Sequence, residues 1–317
     1  MDSPSIRVGS PRRFLTPEVE RVSRRIGRVF SALEELPYLG EAELEDYRYF
    51  AGLFADSLSR IDGRARAGRL RPLDLRGFPQ CLRYPGYAPR IGVLIGSFDP
   101  FQMTHLAMAL RFLACDAAEA DLVFVVPEGA PDPRKPGRTE YRFRYEILKR
   151  QLAGVLDPLV VPLDIGEDAD TIEIVRRLIA LHPGAAIRLT HIVGSDTLPT
   201  ALRFLPDDLE AWGATAKEQR VSLDFSVFVI RRESRTGARP FVEAARRLGV
   251  RSVVDRMIVG APSSTAFRSA RAITVVLPTE AILSRLELLF RYGLHRPWSG
   301  PGGEGGEAAA SQPDYEI

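Results

Sequence analysis

From Ile91 onward, short apolar runs rich in β-branched residues alternate with stretches that repeat apolar residues at helical spacing. Apolar strands separated by helices are typical of a parallel sheet that is covered by helices on both faces. The predicted strands are Ile91–Ile95, Leu122–Val126, Leu159–Leu163, Ile187–Val193, Phe225–Ile230, Met257–Val259 and Ile273–Val276. The predicted helices include Thr104–Ala118, Thr139–Leu152, Thr171–Leu181, Phe241–Leu248 and Thr279–Tyr292. The pattern therefore predicts a doubly wound α/β fold, in which the loops after the strands carry the function.

Two helical patterns precede this region. Thr16 followed by Pro17 predicts a helix start with Thr16 as the N-cap, and a second helix of about 20 residues follows the Pro37–Gly40 break. Two helices bury too little apolar surface alone, so we expect this pair to pack on the following domain or on a second subunit. The predicted divisions are a helical extension at 1–88, the α/β domain at 89–298 and a disordered Gly/Glu-rich tail at 299–317.

The charge balance limits the partners that the chain can take. The formal net charge is only +2, so the protein as a whole attracts neither nucleic acid nor a membrane surface. Only three of the 43 basic residues are lysines (Lys135, Lys149 and Lys217), so the remaining 40 are arginines. Most of that excess fits codon bias, but arginines also converge on anionic ligands. With two cysteines and no apolar run that could span a bilayer, we expect a soluble cytoplasmic protein.

The loop after the first predicted strand is the most informative segment. Gly96-Ser97-Phe98-Asp99-Pro100-Phe101-Gln102-Met103-Thr104-His105 joins that strand to a helix. A helix N-terminus after a tight loop presents backbone N–H groups to an anion, and Gly96 allows the main chain to approach a ligand closely. The segment has neither the GxGxxG spacing of a dinucleotide site nor the Gly-Lys-Ser/Thr of a Walker A loop.

The loop resembles the opening motif of the nucleotidylyltransferase superfamily marked by HxGH, in the branch of nicotinate and nicotinamide mononucleotide adenylyltransferases. Three later segments resemble further motifs of that branch in the same order. They are Asp132-Pro133-Arg134-Lys135 with Tyr141-Arg142-Phe143-Arg144, then Gly194-Ser195-Asp196, and finally Pro262-Ser263-Ser264-Thr265-Ala266-Phe267-Arg268. The resemblance covers about residues 91 to 292 and implies a Rossmann-like nucleotidylyltransferase fold with an N-terminal helical extension.

The resemblance also implies an activity. Such enzymes transfer a nucleoside monophosphate from a nucleoside triphosphate to a phosphate or phosphonate oxygen of a small acceptor and release pyrophosphate, with Mg²⁺ bound beside the triphosphate. It implies catalytic roles for His105, Lys135 and Arg268, and acceptor contacts by Asp99, Arg134 and Arg144. The implied nucleotide-binding residues are Gly96, Ser97, Phe98, Gln102, Thr104, His105, Gly194, Asp196, Ser263, Ser264, Thr265 and Arg268.

Several of these residues also have purely structural interpretations. His105 and the pair Ser263–Ser264 could simply cap helices, and Asp99 could be a turn residue. Arg134 and Lys135 could form a solvated loop pair. His182, His191 and His295 lack the mutual spacing of metal ligands.

The first motif departs from the family pattern at two places. Gln102 stands where the family has its first histidine, and Thr104 stands where it has glycine. Gln102 carries no charge, and we expect the Cβ of Thr104 to push the base away or reshape its pocket. Three hypotheses remain: an ATP-dependent mononucleotide adenylyltransferase, a CTP-dependent cytidylyltransferase acting on a small phosphonate, or a non-catalytic nucleotide-binding protein. A homo-oligomer formed through the N-terminal helices is also left open.

Overall fold

The computed structural model describes residues 15–34, 41–70, 88–133, 135, 138–156, 159–232 and 239–259. These residues form a six-stranded parallel sheet with the strand order β3-β2-β1-β4-β5-β6. The strands are β1 Arg90–Gly96, β2 Leu122–Pro127, β3 Val160–Pro162, β4 Ala186–Gly194, β5 Ser222–Arg232 and β6 Arg251–Val259. This is the doubly wound, Rossmann-like order, so the predicted fold class is confirmed.

Seven α-helices accompany the sheet within the described residues. They are α1 Leu15–Glu34, α2 Glu41–Arg66, α3 Met103–Ala114, α4 Tyr141–Leu152, α5 Thr171–Ala180, α6 Leu198–Glu218 and α7 Arg239–Arg247. A short 3₁₀ turn at Asp116–Ala118 follows α3. The strand order reverses between β1 and β4, so a crevice is expected beyond the carboxyl ends of these two strands.

Several predicted boundaries were wrong. Helix α1 begins at Leu15, so Thr16 lies inside the helix rather than at its N-cap. Helix α2 has 26 residues and ends at Arg66, so it is longer than the predicted 20 or so residues, and β6 begins at Arg251 rather than Met257. The predicted strand Ile273–Val276, the predicted helix Thr279–Tyr292 and the predicted tail at 299–317 lie outside the described residues.

Helix α6 was absent from the predicted helices. Its sequence contains two prolines, at its first turn and at Pro206, and proline in a helix interior removes a hydrogen bond and crowds the preceding turn. Tertiary packing stabilises the helix all the same. Trp212 is almost completely buried against the partly buried Phe225, and its indole N–H donates to the carbonyl oxygen of Ile172 at 3.1 Å.

Helix α3 is covered on all sides. Every one of its residues except His105 is buried, because one side packs on the sheet and the other packs against α2. The residues of α2 in this shared core are Phe50, Leu53, Phe54, Leu58, Ile61 and Ala65. The N-terminal helices therefore pack on the following domain, which is the first of the two arrangements expected from the sequence.

Ion pairs reinforce the contact between α2 and α3. Arg111 of α3 is buried and bonds both oxygens of Asp255 in β6, at 2.8 and 2.9 Å, and one oxygen of Asp56 in α2 at 2.7 Å. Arg64 of α2 donates to the carbonyl oxygens of Leu113 and Ala120.

Among the described residues, no helix is long and apolar enough to cross a membrane.

Candidate functional site

The loop between β1 and α3 lies at the reversal of strand order, where ligands bind in sheets of this type. It begins at Ser97, whose hydroxyl accepts a hydrogen bond from the Lys135 ammonium at 2.7 Å. Lys135 also lies 3.8 Å from a carboxylate oxygen of Asp132. The structure thus brings two predicted site residues, Ser97 and Lys135, together at the mouth of the crevice.

Two buried side chains hold this loop in place. A carboxylate oxygen of Asp99 accepts a hydrogen bond from the backbone N–H of Thr139 at 3.1 Å. The Arg144 guanidinium donates to the carbonyl oxygen of Thr139 at 2.7 Å and to that of Ser97. Asp99 and Arg144 are only 2% and 1% exposed, so both face the protein interior. The structure shows both as supports of the loop, and their predicted contact with an acceptor stays a prediction.

Burial also affects the charge of Arg144. Removal from water lowers its pKa to about 10, with a smaller contribution from the neighbouring positive charge of Arg138. The guanidinium remains protonated at neutral pH, because that pKa is still well above 7. Its role as a donor to the two carbonyl oxygens is therefore maintained under ordinary conditions.

Phe98 forms the apolar floor of the loop. Its ring is 3% exposed, and its backbone has a φ of 42°, which is unusual for a residue with a bulky side chain. A Cβ added to Gly96 would lie 3.0 Å from the Phe98 ring. The missing side chain at Gly96 therefore makes room for Phe98, which differs from the close approach to a ligand expected from the sequence.

His105 lies in the first turn of α3, with two aromatic rings around it. The Phe98 ring is 4.9 Å away in an edge arrangement, and the Phe101 ring is 5.4 Å away and tilted by 35°. The backbone N–H of Gln102 donates to Nδ1 of His105 at 3.1 Å. Since Nδ1 accepts this bond, the proton of the neutral imidazole belongs on Nε2, which is then available as a donor.

The environment of His105 keeps the ring neutral. Removal of the ring from water, together with the positive charges of Arg232 and Lys135, lowers the pKa of His105 to about 3. His105 can therefore act at neutral pH as an uncharged hydrogen-bond donor to an anion. It is also a helix cap, as the structural interpretation expected, and the capping bond is what fixes its tautomer.

The two residues that depart from the family pattern are both buried. Gln102 is 1% exposed at the N-cap of α3, and Thr104 is 0% exposed in its first turn. A completely buried Thr104 side chain does not project into open space. The expectation that its Cβ pushes the base away is therefore not supported by the geometry.

The end of β4 forms the other side of the crevice. The backbone N–H of Ser195 donates to the carbonyl oxygen of Ile230 at 2.8 Å, which continues the pairing with β5. Asp196 is exposed, and its carboxylate folds back so closely over Gly194 that a Cβ there would overlap it. The absence of a side chain at Gly194 leaves room for the Asp196 carboxylate, and the predicted contact of Asp196 with a nucleotide stays a prediction.

One residue near the site was not predicted from the sequence. Arg232 ends β5, and its positive charge is near enough to His105 to lower the pKa of that ring. The sequence does contain a signal for Arg232, because the basic pair Arg231 and Arg232 directly follows the apolar run Phe225–Ile230. Basic residues at the carboxyl end of a parallel strand lie at the ligand-binding edge of the sheet.

Comparison with known proteins identifies relatives of the chain, although no protein-family model matches it. A "probable nicotinate-nucleotide adenylyltransferase" of Maridesulfovibrio salexigens is 32% identical over 114 residues, which is 35% of this chain and 51% of that protein. Another of the same name, from Halalkalibacterium halodurans, is 35% identical over 120 residues, which is 35% of this chain and 55% of that protein. The chain spans about half the length of these curated relatives. The resemblance to nicotinate-nucleotide adenylyltransferases is confirmed.

Other similarities are more distant. An orotidine 5'-phosphate decarboxylase of Laribacter hongkongensis is 29% identical over 145 residues, which is 41% of this chain and 57% of that protein. A solved nicotinic acid mononucleotide adenylyltransferase of Plasmodium falciparum, complexed with NaAD, has a TM-score of 0.42 at 13% identity. That alignment covers 65% of this chain and 97% of that chain.

Some adenylyltransferase-like motifs lie outside the described residues. These are Arg134 and the segment that contains Ser263, Ser264, Thr265 and Arg268. Their predicted contacts with the triphosphate and the acceptor stay predictions. Val259, the last described residue, pairs with Arg232 at the carboxyl end of β6, and the segment begins three residues later in the sequence.

Mg²⁺ bound together with the nucleoside triphosphate is the metal that the resemblance implies. Among the residues that are described, no three His, Cys, Asp or Glu side chains come together in a group that could hold a metal ion. In nucleotide-dependent enzymes Mg²⁺ is commonly bound through one or two carboxylates together with substrate phosphates. Mg²⁺ that enters with the triphosphate would therefore need no such group from the protein.

Proposed function

We propose that this chain is a nucleotidylyltransferase that transfers the AMP group of ATP to the phosphate of nicotinate mononucleotide and releases pyrophosphate. The proposal is carried by three groups that can donate hydrogen bonds to phosphate, near the point where the strand order reverses. They are the neutral ring of His105, the Lys135 ammonium that donates to Ser97, and the backbone N–H groups at the N-terminus of α3. The sequence similarity to nicotinate-nucleotide adenylyltransferases supports the choice of substrates.

The chemistry needs no nucleophilic side chain. An oxygen of the acceptor phosphate forms the new bond to the α-phosphorus of ATP, and the bond between that phosphorus and the oxygen bridging to the β-phosphate breaks. The bridging oxygen leaves with the pyrophosphate and its electron pair. The enzyme aligns the two anions and stabilises the charge that develops on the phosphate oxygens.

The residues of the site suit that task in different ways. The Nε2–H of His105 would donate to an α-phosphate oxygen without adding a charge, and Lys135 would neutralise the triphosphate. The N-terminus of α3 adds the positive end of a helix dipole. Asp99 and Arg144 would act as positioning residues, because they hold the loop through Thr139 and Ser97. Magnesium would enter bound to the triphosphate.

The test is pyrophosphate release by the full chain across ATP, CTP, GTP and UTP, with nicotinate mononucleotide, nicotinamide mononucleotide or a small phosphonate as acceptor. We expect the highest kcat/KM for ATP with nicotinate mononucleotide. Preference for CTP with a phosphonate would instead favour the cytidylyltransferase hypothesis. Tight nucleotide binding without release in any pair would contradict catalysis and leave a nucleotide-binding protein.

A variant of His105 connects the activity to this site. His105→Ala removes the donor, and loss of one such donor lowers kcat by about 100 to 1,000-fold. His182→Gln is a matched control, because His182 is buried in the turn after α5, where Nδ1 bonds the carbonyl oxygen of Leu178. Wild-type turnover in His105→Ala would place the chemistry elsewhere.

A further inference from the structure

Arg232 ends β5 and lies beside the end of β4. Its backbone N–H donates to the Ser195 hydroxyl at 2.9 Å, which anchors the end of β5 to the end of β4. Its Cγ lies 3.3 Å from the point where a Cβ on Gly194 would stand. The side chain of Arg232 therefore starts across the end of β4, the strand that lies between β5 and β1 in the sheet.

Two buried arginines of the described part of the chain have acceptors. Arg111 bonds two carboxylates, and Arg144 bonds two carbonyl oxygens. The Asp196 carboxylate, like the Arg232 side chain, lies against Gly194. For the half-buried Arg232, neither a hydrogen bond of the guanidinium nor an ion pair is found among the described residues. A positive group so placed, beside a neutral histidine and across from a lysine, is suited to an anion.

The loop before α3 has no positive side chain where the family pattern has its first histidine. Gln102 occupies the N-cap of α3 as a neutral amide that is almost fully buried, so it brings no charge to the crevice. Besides the buried Arg144, two positive groups of the described residues act on His105, namely Lys135 from the loop after β2 and Arg232 from the end of β5. A phosphate chain lying along the crevice would pass between them.

We propose that Arg232 binds the phosphate chain of the nucleotide, opposite Lys135 across the ends of β1 and β4. The identity of the ligand as a nucleotide rests on the proposed function, whereas the position of Arg232 in the structure does not. The guanidinium contacts non-bridging oxygens of the triphosphate and is therefore a binding residue. The chain uses an arginine from β5 to provide charge that the loop before α3 does not supply.

Arg231 provides a matched control for the test. It is the neighbouring residue in β5 and is exposed, whereas Arg232 is half-buried. The full-length variants Arg232→Ala, Arg232→Gln and Arg231→Ala each remove one positive charge. Binding of ATP and of inorganic pyrophosphate is measured by calorimetry, and the pKa of His105 is measured by NMR.

We expect Arg232→Ala and Arg232→Gln to raise the Kd for ATP at least about tenfold, because a charge-assisted hydrogen bond is lost. Arg231→Ala should change that Kd less than about twofold. The His105 pKa should rise in both Arg232 variants and not in Arg231→Ala. The His105 signal also shows that each variant is folded, since only the folded chain lowers that pKa.

The outcomes separate this proposal from the proposed function. ATP binding that depends on Arg232, without nucleotidyl transfer in any pair, would overturn the proposed function and support Arg232. Nucleotidyl transfer with equal Kd values in the Arg232 and Arg231 variants would support the proposed function and overturn the assignment of Arg232. A wild-type chain that binds neither ATP nor pyrophosphate would overturn both.

Discussion

The backbone N–H of Gln102 donates to Nδ1 of His105 at 3.1 Å across the first turn of α3. This bond makes Nδ1 the acceptor and leaves the proton on Nε2. We therefore expect long-range ¹H–¹⁵N NMR spectra of the folded chain to show the Nε2–H tautomer of His105 at pH 7. The His105 signals should not titrate between pH 5 and 8, since the pKa of this ring is lowered to about 3. A titration midpoint near 6.5 would contradict the lowered pKa of this ring.

The same lowered pKa makes His105 a source of acid sensitivity. In the unfolded chain the imidazole gains its proton near its ordinary pKa of about 6.5, whereas in the folded chain it does so near 3. The unfolded state therefore binds more protons between these values, and the free energy of unfolding decreases as pH falls through that range. We expect His105→Gln to lose less stability than wild type between pH 7 and pH 4, as measured by urea unfolding. Parallel pH profiles would contradict this.

Lys135 and Lys149 offer a direct comparison of two lysines. Lys135 bonds the Ser97 hydroxyl in the loop after β1, whereas Lys149 pairs with Glu146 on the exposed face of α4. We expect Lys135→Ala to lower kcat/KM for the proposed reaction by about 100-fold, because a charged donor to the phosphates is lost. Lys149→Ala should remain within about twofold of wild type. Equal rates for the two variants would contradict a role of Lys135 in the proposed reaction.

The sequence predicted the sheet and the position of the loop that carries the candidate site, because both follow from local patterns. Apolar runs identified β1, β2, β4 and β5, and the loop that follows β1 lies at the strand reversal. The roles of single side chains were harder to predict. Asp99 and Arg144 fall within the motifs, but their partners Thr139 and Ser97 are distant in sequence, so that only the folded chain shows them to be supports.

Arg232 and helix α6 were missed for different physical reasons. Arg232 belongs to no motif that was recognised, and its relation to His105 exists only once β4 and β5 lie side by side. Helix α6 has weak local propensity because Pro206 stands in its interior, and it is stabilised by contacts such as the Trp212 bond to Ile172. Both depend on tertiary structure, which local periodicity does not report.

The support given by Arg144 can be measured as stability. Arg144→Met keeps much of the volume but leaves the carbonyl oxygens of Ser97 and Thr139 without their donor. An unsatisfied buried acceptor costs about 1 to 3 kcal/mol, so we expect the free energy of unfolding to fall by roughly 2 to 4 kcal/mol. Arg142→Met, which removes an exposed arginine from the same helix, is the control and should change stability by less than about 0.5 kcal/mol. A similar loss in both would show that Arg144 supports nothing specific.

The N-terminal helices should be essential to the fold, because α3 is apolar on the face that α2 covers. Phe50, Phe54, Leu58 and Ile61 are each at most 1% exposed, and they belong to the same core as α3. Burial of one such side chain contributes about 1.5 to 3 kcal/mol, so the four together match much of the 5 to 15 kcal/mol that stabilises a typical domain.

Deletion of residues 1–85 also removes Asp56, one of the two carboxylates bonded to the buried Arg111. We expect the truncated chain to lose its cooperative thermal transition and its nucleotide binding together, whereas deletion of residues 1–12 alone should preserve both. Circular dichroism melting and size-exclusion chromatography would check this. A folded, active product of lower oligomeric mass would instead show that α1 and α2 form an interface between subunits and that α3 is stable without them.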